Sequence, residues 1–372
     1  MKNIQLKDLL KEPTRNGLTK PKAIRGNGVK MISMREIFSH GRIADIEMDR
    51  VPVSDKELSN CQIEKGDLLF ARQSLVLDGA GKCSIVTKAN EPTVFESHLI
   101  RARIDEKKAN PYFLYYYFNS RLGKDNMRTI VEQVAAAGIR GSDLINLWVP
   151  SPSIEVQNRL ADILITIDKK IELNYQINDN LQQQAQAIYS SMFIDNPNPA
   201  WKHGHLSDLI TVKYGKDHKK LADGIYPVYG SGGIMRYAER PLYNKESVLI
   251  PRKGTLNNVI YVNQPFWSVD TMFYTEMKIP NVAKFVYHFV KAKDLASMNA
   301  GSAVPSMTTD ILNAMEVVIP SAPDLEEFES LVAPMYKAME ANHVQSQVLS
   351  RMRDTLLPKL MSGEMDVSAV QL

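Results

Sequence analysis

Two short polar segments carry side chains suited to reading the edges of nucleic-acid bases. Arg72-Gln73-Ser74 follows an apolar run typical of a buried strand, and Arg252-Lys253-Gly254-Thr255 follows a matching run later in the chain. Arginine makes bidentate contacts to guanine and glutamine to adenine, while Ser, Thr and Lys bind bases or phosphates. A surface salt bridge is the alternative for such arginines. The recurrence in both halves favours base contacts by Arg72, Gln73, Ser74, Arg252, Lys253 and Thr255.

A second set of basic residues lies in loops and suits phosphate groups better than bases. It comprises Lys219 and Lys220 in one half and Lys22 and Arg25 in the other. A lysine ammonium is a point charge without the planar fork that reads a base edge. Arg140 and Ser302, in glycine-containing loops before the last strand of each half, are also candidate contacts. A solvated loop explains all of these side chains equally well.

The net charge of +3 conceals an uneven distribution along the 372 residues. Residues 1–150 carry a net charge of +6 and residues 200–320 carry +4, whereas residues 151–199 carry −3 and residues 321–372 carry −4. Basic domains favour a polyanion, and acidic segments are repelled by one. The pattern predicts two nucleic-acid-binding parts separated by segments that bind something else, although chance scatter remains an alternative.

The chain offers little for catalysis. It has no glycine-rich phosphate loop, no methyltransferase Asn-Pro-Pro-Tyr-type motif and no paired histidines or thiols at metal-ligand spacing. Asp324 and Glu326 resemble a nuclease carboxylate pair only faintly, and their place in the first turn of a predicted helix explains them by compensation of the helix dipole. No catalytic residue and no metal ligand is therefore predicted.

The segment from about Ile154 to Met192 predicts a long amphipathic helix, and a second copy follows at an offset of 168 residues. Apolar residues recur at three- and four-residue steps, close to a coiled-coil heptad. Asn174 lies in this apolar seam and its counterpart is Asn342. We expect the two helices to pack on each other with the asparagines meeting as a polar layer, although exposure of both to solvent is an alternative. The predicted contacts are Ile167, Ile171, Asn174, Leu181, Met335, Met339, Asn342 and Leu349.

The globular parts before the two helices are also related. Leu206–Ile210 matches Leu6–Leu10, Val248–Pro251 matches Leu68–Ala71, and Phe285–Phe289 matches Phe113–Tyr117. The offset falls in steps that coincide with predicted loops, as a duplication with loop deletions would leave. Pro334 lies inside the second helix only, so a kink or break is expected near Ala333. Gly363 is the expected residue after the end of that helix.

Composition sets outer bounds on the class of protein. The chain is long enough for two domains, and its two cysteines, Cys61 and Cys83, suit a reduced cytoplasm. No run approaches about 18 uninterrupted apolar residues, so export and membrane insertion are not expected.

The architecture resembles the specificity subunit of type I restriction–modification enzymes. The resemblance rests on the repeated plan and on three stretches, namely Asn110–Phe118, Leu144–Gln157 and the C-terminal Arg353–Glu364. It implies an α+β fold with two similar target-recognition domains, each followed by a long helix, the helices forming an antiparallel coiled coil. The implied divisions are 1–150 and 198–320 for the recognition domains, 151–197 and 321–363 for the helices, and 364–372 for the tail.

The resemblance also implies partners. Each recognition domain would read one half of a split double-stranded DNA target, and the helices would set the spacing and dock two methyltransferase subunits. S-adenosylmethionine, ATP and Mg would be bound by partner subunits, including any restriction subunits, and not by this chain. A coiled-coil assembly protein whose basic domains bind other proteins is the alternative, and a methyltransferase or nuclease with an unrecognised site is a third.

Overall fold

A computed structural model describes residues 2–133, 137–298 and 306–365. The chain divides into two compact units, one of Met1–Asn174 with Val344–Leu372 and the other of Tyr175–His343, here called unit 1 and unit 2. Each unit therefore contains one globular part and a portion of each long helix. No helix in the described ranges is long and apolar enough to cross a membrane.

Unit 1 is built on a five-stranded sheet with three smaller sheets around it. Its strands are β1 Asn3–Gln5, β2 Arg15–Asn16, β3 Val29–Ile32, β4 Arg42–Ile43, β5 Arg50–Val51, β6 Leu68–Ala71, β7 Gln73–Ser74, β8 Cys83–Val86, β9 Thr93–Phe95, β10 Leu99–Ala102, β11 Glu132–Gln133, β12 Ala137–Gly138 and β13 Trp148–Pro150. Its helices are α1 Leu6–Leu9, α2 Met34–Ser39, α3 Asp55–Cys61, α4 Pro111–Asn119, α5 Arg121–Arg128, α6 Gly141–Leu144 and the first part of α7 Ile154–Ser190. The sheet orders are β2-β10-β6-β8-β4, β5-β3-β9, β11-β12-β7 and β1-β13.

Unit 2 has a four-stranded sheet in the corresponding place. Its strands are β14 Lys202–His205, β15 Ile210–Tyr214, β16 Asp223–Gly230, β17 Gly233–Ala238, β18 Ser247–Pro251, β19 Ile260–Val262, β20 Trp267–Ser268, β21 Met272–Met277 and β22 Glu316–Ile319. Its helices are α8 Leu206–Leu209, α9 Ala283–Lys291, α10 Thr309–Asn313, a π-helical turn Ser191–Asp195 after α7, and the first part of α11 Ala322–Ser362. The sheet orders are β15-β21-β18-β19, β17-β16-β20 and β14-β22.

The two units share one topology. Strand order β2-β10-β6-β8 in unit 1 corresponds to β15-β21-β18-β19 in unit 2, and β5-β3-β9 corresponds to β17-β16-β20. The directions agree as well, because β3 with β9 and β16 with β20 are both parallel pairs, whereas their other neighbours are antiparallel. Two related domains, predicted from stepwise offsets in the sequence, are therefore confirmed.

The central strands form in both units because continuous apolar runs can be buried on both faces. Every residue of β6 is buried, and so is every residue of β18. Helices α4 and α9 pack against these sheets. Helix α4 is capped by Asn110, whose side chain accepts hydrogen bonds from the backbone amides of Tyr112 and Phe113. The aromatic run of α4 is core, as its helical position beside strands predicts.

Each globular part packs on both long helices. In unit 1 the core includes Leu160 and Leu164 of α7 together with Leu357 and Leu360 of α11. In unit 2 the core includes Tyr189 of α7 and, from α11, the residues Leu325, Phe328, Val332 and Tyr336. Residues near the start of one helix meet residues near the end of the other, so within each unit the two helices run antiparallel. The predicted fold class is confirmed.

Polar residues in the helix seam bond across the helix pair. In unit 1, Asn174 is fully buried, and its amide donates to Oε1 of Gln345 at 2.9 Å and to Oγ of Ser346 at 3.1 Å. In unit 2, the Asn342 amide donates to Oδ1 of Asn178 at 2.9 Å. Asn174 and Asn342 belong to different units, and their mutual contact stays a prediction.

The other predicted seam residues differ in burial. Ile171 is buried, and Ile167, Leu181, Met335, Met339 and Leu349 are half-buried. A partly open seam is what a two-helix pair gives when a globular domain covers one side only.

The expected break near Ala333 is wrong, and a kink there stays a prediction. Helix α11 runs without interruption from Ala322 to Ser362. Pro334 and Ser330 both lie on the exposed side, so water can bond the Ser330 carbonyl that loses its helical donor. Gly363 follows the helix with φ 77°, the left-handed conformation expected of this position.

Candidate nucleic-acid interface

The predicted base-contacting arginines occupy the same backbone position in both units. In unit 1 the Arg72 amide donates to the His98 carbonyl at 2.8 Å, and the Arg72 carbonyl accepts from the Ile139 amide at 2.9 Å. In unit 2 the Arg252 amide donates to the Thr271 carbonyl at 2.8 Å. The Arg252 carbonyl accepts from the Met307 amide at 2.9 Å. Each arginine is thus fixed between two neighbouring segments just after the central strand of its unit.

The residue after each arginine also pairs in the same way. Gln73 lies opposite Gly138 in the β7–β12 pair, and Lys253 forms a bridge with Ser306. Since Ser306 is Gly138 plus the helix offset of 168, the two bridges are copies of one contact. A short backbone segment fixed on both sides by hydrogen bonds presents its side chains in a defined direction, which is what base reading requires.

The side chains of the two arginines differ in their surroundings. Arg72 is half-buried, and its guanidinium has no hydrogen bond or ion pair within the described residues. Arg252 is half-buried, and its guanidinium lies 5.7 Å from the ring centroid of the exposed Tyr214. An arginine stacked on an aromatic ring keeps its donors free for a second partner. Gln73, Lys253 and Thr255 are exposed, and Ser74 is half-buried.

The remaining candidate side chains differ in exposure and in whether they already form hydrogen bonds or ion pairs within their own unit. Lys22, Lys219 and Lys220 are exposed. Arg25 bonds the Asp49 carboxylate at 2.8 Å and the Lys20 carbonyl, so an external anion would compete with these partners. Arg140 is exposed and paired with Glu132 at 2.7 Å. Ser302 lies outside the described residues.

Sequence reasoning missed a pair of lysines beside the Arg72 segment. Lys82 and Lys124 line the same depression as Val76 and Leu77, the residues that follow Arg72-Gln73-Ser74-Leu75. Burial and the positive charge of Lys124 lower the pKa of Lys82. Their separation in the chain hid them, since Lys82 directly precedes β8 and Lys124 lies in α5.

A buried polar contact joins each globular part to the long helices. In unit 1 the Tyr116 hydroxyl donates to Oδ2 of Asp168 at 2.6 Å, and Arg353 Nη1 donates to Oδ1 of Asp168 at 2.8 Å. Burial and the Asp168 charge raise the pKa of Tyr116 well above its usual range, so the hydroxyl remains a donor. Arg353 of α11 thus has the Asp168 carboxylate of α7 as a partner.

Comparison with known proteins decides the family. The model of the type I restriction modification DNA specificity domain matches residues 1–183 and again residues 198–331. The chain belongs to this family. The first match covers the first globular part and most of α7, and the second covers the second globular part and the start of α11.

Relatives along the whole chain agree. The type I restriction enzyme MjaIX specificity subunit of Methanocaldococcus jannaschii is 23% identical, over 94% of this chain and 89% of the relative. The HindI specificity subunit of Haemophilus influenzae is 20% identical, over 81% of this chain and 87% of the relative. The crystal structure of a type I restriction–modification S subunit from M. genitalium has the same fold, with a TM-score of 0.61 over 99% of this chain and 96% of that one, at 17% identity.

The described residues contain no group of three or more His, Cys, Asp or Glu side chains arranged to hold a metal ion. Asp324, considered above as one of a carboxylate pair, accepts a hydrogen bond from Nε1 of Trp201 at 2.7 Å and another from the Ser321 hydroxyl. The Ser321 bond lies at the start of α11, and the Trp201 bond connects that start to the residue before β14, which gives this carboxylate a structural role.

Proposed function

We propose that this chain is the DNA-recognition subunit of a type I restriction–modification complex and reads a split target, one half with each unit. The observation that carries the proposal is the repeated site: Arg72 and Arg252 stand at one backbone position, fixed by the same pair of hydrogen bonds, in two domains of a DNA specificity family. The side chains around them differ, Gln73 and Ser74 against Lys253 and Thr255. Two halves of different sequence are therefore expected.

The acidic helices serve a different partner. Residues 151–199 and 321–372 carry net charges of −3 and −4, which disfavour contact with DNA phosphates. We propose that α7 and α11 set the distance between the half-sites and bind methyltransferase subunits, two of them if each unit offers one site. Methyl transfer from S-adenosylmethionine and ATP- and Mg-dependent cleavage would then occur on partner subunits.

Mapping methylated adenines in a genome that carries this chain and its methyltransferase partner tests the proposal. We expect a bipartite motif in which the two specified halves are separated by a gap of constant length and unspecified sequence. A continuous motif, or methylation that does not depend on this chain, contradicts the proposal. Salt titration of DNA binding provides a second test, because contacts to phosphates make affinity fall steeply with salt.

A further inference from the structure

Unit 1 exposes three consecutive apolar side chains directly after its predicted base-contacting residues. Leu75 is 97% exposed, Val76 63% and Leu77 44%. The free energy gained by burying a leucine side chain is large enough that such residues are normally kept out of water. A run of exposed branched residues at a loop tip marks a surface that another molecule covers.

The exposure of Leu75 is built into the folded loop. The Val76 amide donates to Oγ of Ser74 at 3.1 Å, a short turn that leaves Leu75 at its tip. The Gly79 amide donates to the Val76 carbonyl at 3.0 Å, and the Gly81 amide donates to the Ala71 carbonyl at 2.8 Å. A Cβ on Gly79 would lie 2.1 Å from Ser74 Oγ, so glycine is needed where the loop closes on itself. These bonds aim Leu75 away from its own unit.

The charge around the tip favours a polyanion. Lys82 and Lys124 line the depression beside Val76 and Leu77. The nearby Asp78 carboxylate is bonded to Arg128 at 2.9 Å, which offsets its charge. Along the chain, Leu75 is three residues from Arg72, at most about 10 Å. That distance corresponds to roughly three base-pair steps, so the tip falls within the half-site that Arg72 reads.

Unit 2 has no equivalent tip. At the offset of 180 that relates Arg252 to Arg72, Thr255 takes the place of Leu75 and Leu256 that of Val76. Leu256 is 2% exposed and belongs to the core of unit 2. At this position of the described residues, the apolar tip is therefore present in unit 1 and absent from unit 2.

Building on the proposed function, we propose that Leu75, supported by Val76, is an apolar wedge that inserts into the base stack of the half-site read by unit 1. Apolar side chains placed between base pairs unstack them locally and deform the duplex. Sequence at that step would then be selected by the ease of unstacking as well as by hydrogen bonds. The half-site read by unit 2 would remain undistorted.

The test uses the full chain in complex with its methyltransferase partner and duplexes carrying the mapped target. The half-site of unit 1 is the one whose specificity Arg72→Ala relaxes. 2-Aminopurine is placed at each position of this half in turn, because its fluorescence rises when stacking is lost. We expect a rise at one step on binding, loss of that rise in Leu75→Ser, and affinity weakened about tenfold. Ile225→Ser, which changes a 77% exposed apolar residue of unit 2 that is not a candidate contact, should leave the fluorescence of this half-site as in the unchanged protein.

Leu75 is exposed, so its replacement should not impair folding. The wedge proposal would be overturned if 2-aminopurine fluorescence did not rise at any position when the unchanged complex binds. It would also be overturned if Leu75→Ser bound DNA with undiminished affinity. Loss of methyltransferase binding by Leu75→Ser with normal DNA affinity would also overturn it, because Leu75 would then contact protein. If the unchanged complex yields no bipartite motif at all, the proposed function itself fails, and that result is visible before the wedge is tested.

Discussion

Nε2 of His288 lies 3.0 Å from the Tyr336 hydroxyl, at the two positions where unit 1 places Tyr116 and Asp168. Tyr336 is Asp168 plus the helix offset of 168, and His288 is Tyr116 plus the offset of 172 that relates α9 to α4. The duplicated domains thus kept a buried polar contact to the same helix positions while both partners changed chemistry. With Nδ1 of His288 donating to Oε1 of Gln186 at 2.8 Å, the ring accepts from Tyr336.

Asp168→Ala should destabilise unit 1 by about 2 kcal/mol, because it leaves the buried Tyr116 hydroxyl without its acceptor and removes one of the two carboxylates that bond the partly buried Arg353 guanidinium. Denaturant unfolding of the full chain measures the change. Glu172→Ala is a matched control on the same helix: Glu172 bonds Arg42 at 2.7 Å but is half exposed, and its loss should cost under about 0.5 kcal/mol. Equal effects of the two substitutions would contradict the prediction.

His288 should make unit 2 less stable in mild acid. Burial lowers the pKa of His288 to about 4, whereas the unfolded chain has a pKa of about 6.5. Between these values the unfolded state binds a proton that the folded state does not, so the free energy of unfolding falls as pH falls from about 6.5 to 4, by about 3 kcal/mol in total. Above about pH 6.5 this contribution is constant. Urea unfolding at pH 7 and pH 4.5 measures it.

His288→Gln should flatten this pH dependence, since glutamine can bond Tyr336 and does not titrate. His203, exposed on β14, provides the control, and His203→Gln should keep the slope. A slope that survives His288→Gln unchanged would show that other groups cause it.

Substitutions of Asn178 and Asn342 should have non-additive effects on the stability of the helix pair in unit 2. Asn342 donates to Oδ1 of Asn178, and Asn178 donates to the Met339 carbonyl at 3.0 Å. A double-mutant cycle with alanine at both positions should give an interaction energy of about 1 kcal/mol. A control cycle that replaces Asn342 and the exposed Asp179, which bonds Gln183 of its own helix, should be additive. Additivity in the first cycle would show that the asparagines do not fix the register.

Arg72→Ala should relax the half-motif read by unit 1 and leave the other half unchanged, and Arg252→Ala should do the reverse. A bidentate arginine–guanine contact provides about 1–3 kcal/mol of discrimination. Methylation mapping with each variant, co-expressed with the methyltransferase partner, measures this directly. Uniform loss of methylation at both halves by either variant would exclude a base-specific role for that arginine.

Lys219→Ala and Lys220→Ala should weaken DNA binding equally for all sequences. Each phosphate contact removed should reduce the slope of log affinity against log salt by about 0.9. Binding to the target and to an unrelated duplex, each over a range of salt concentrations, measures both effects. Lys291→Ala, an exposed lysine at the end of α9, is the control and should leave the slope as it was. A change of motif in the Lys219 or Lys220 variants would indicate base contact instead.

The repeated architecture could be predicted because its signals are local and periodic. The three-and-four spacing before Met192 defines α7, and two prolines, Pro197 and Pro199, mark the passage to the second globular part. Central strands such as β6 and β18 are continuous apolar runs, so they can be recognised from their own residues without knowledge of their neighbours in the fold. The continuity of α11 through Pro334 could not be predicted, since it depends on which side of the helix faces water.

The candidate site was harder to predict because its partners are distant in sequence. Arg353 and Asp168 are 185 residues apart, and only the antiparallel helices bring them together. The exposure of Leu75 depends on the turn at Ser74 and the closure at Gly79, which the apolar sequence alone does not reveal. The DNA contacts of Arg72 and Arg252 stay predictions until they are measured.

The chain enters and leaves each globular part through one antiparallel strand pair, β1 with β13 and β14 with β22. A block bounded by these strands can therefore be exchanged for a related block without opening a sheet or moving a helix. A new combination of targets would then need only two crossovers in the gene, whereas redesign of the scaffold would be unnecessary. Recombination that exchanges such blocks is therefore a route by which a protein of this architecture acquires a new target sequence.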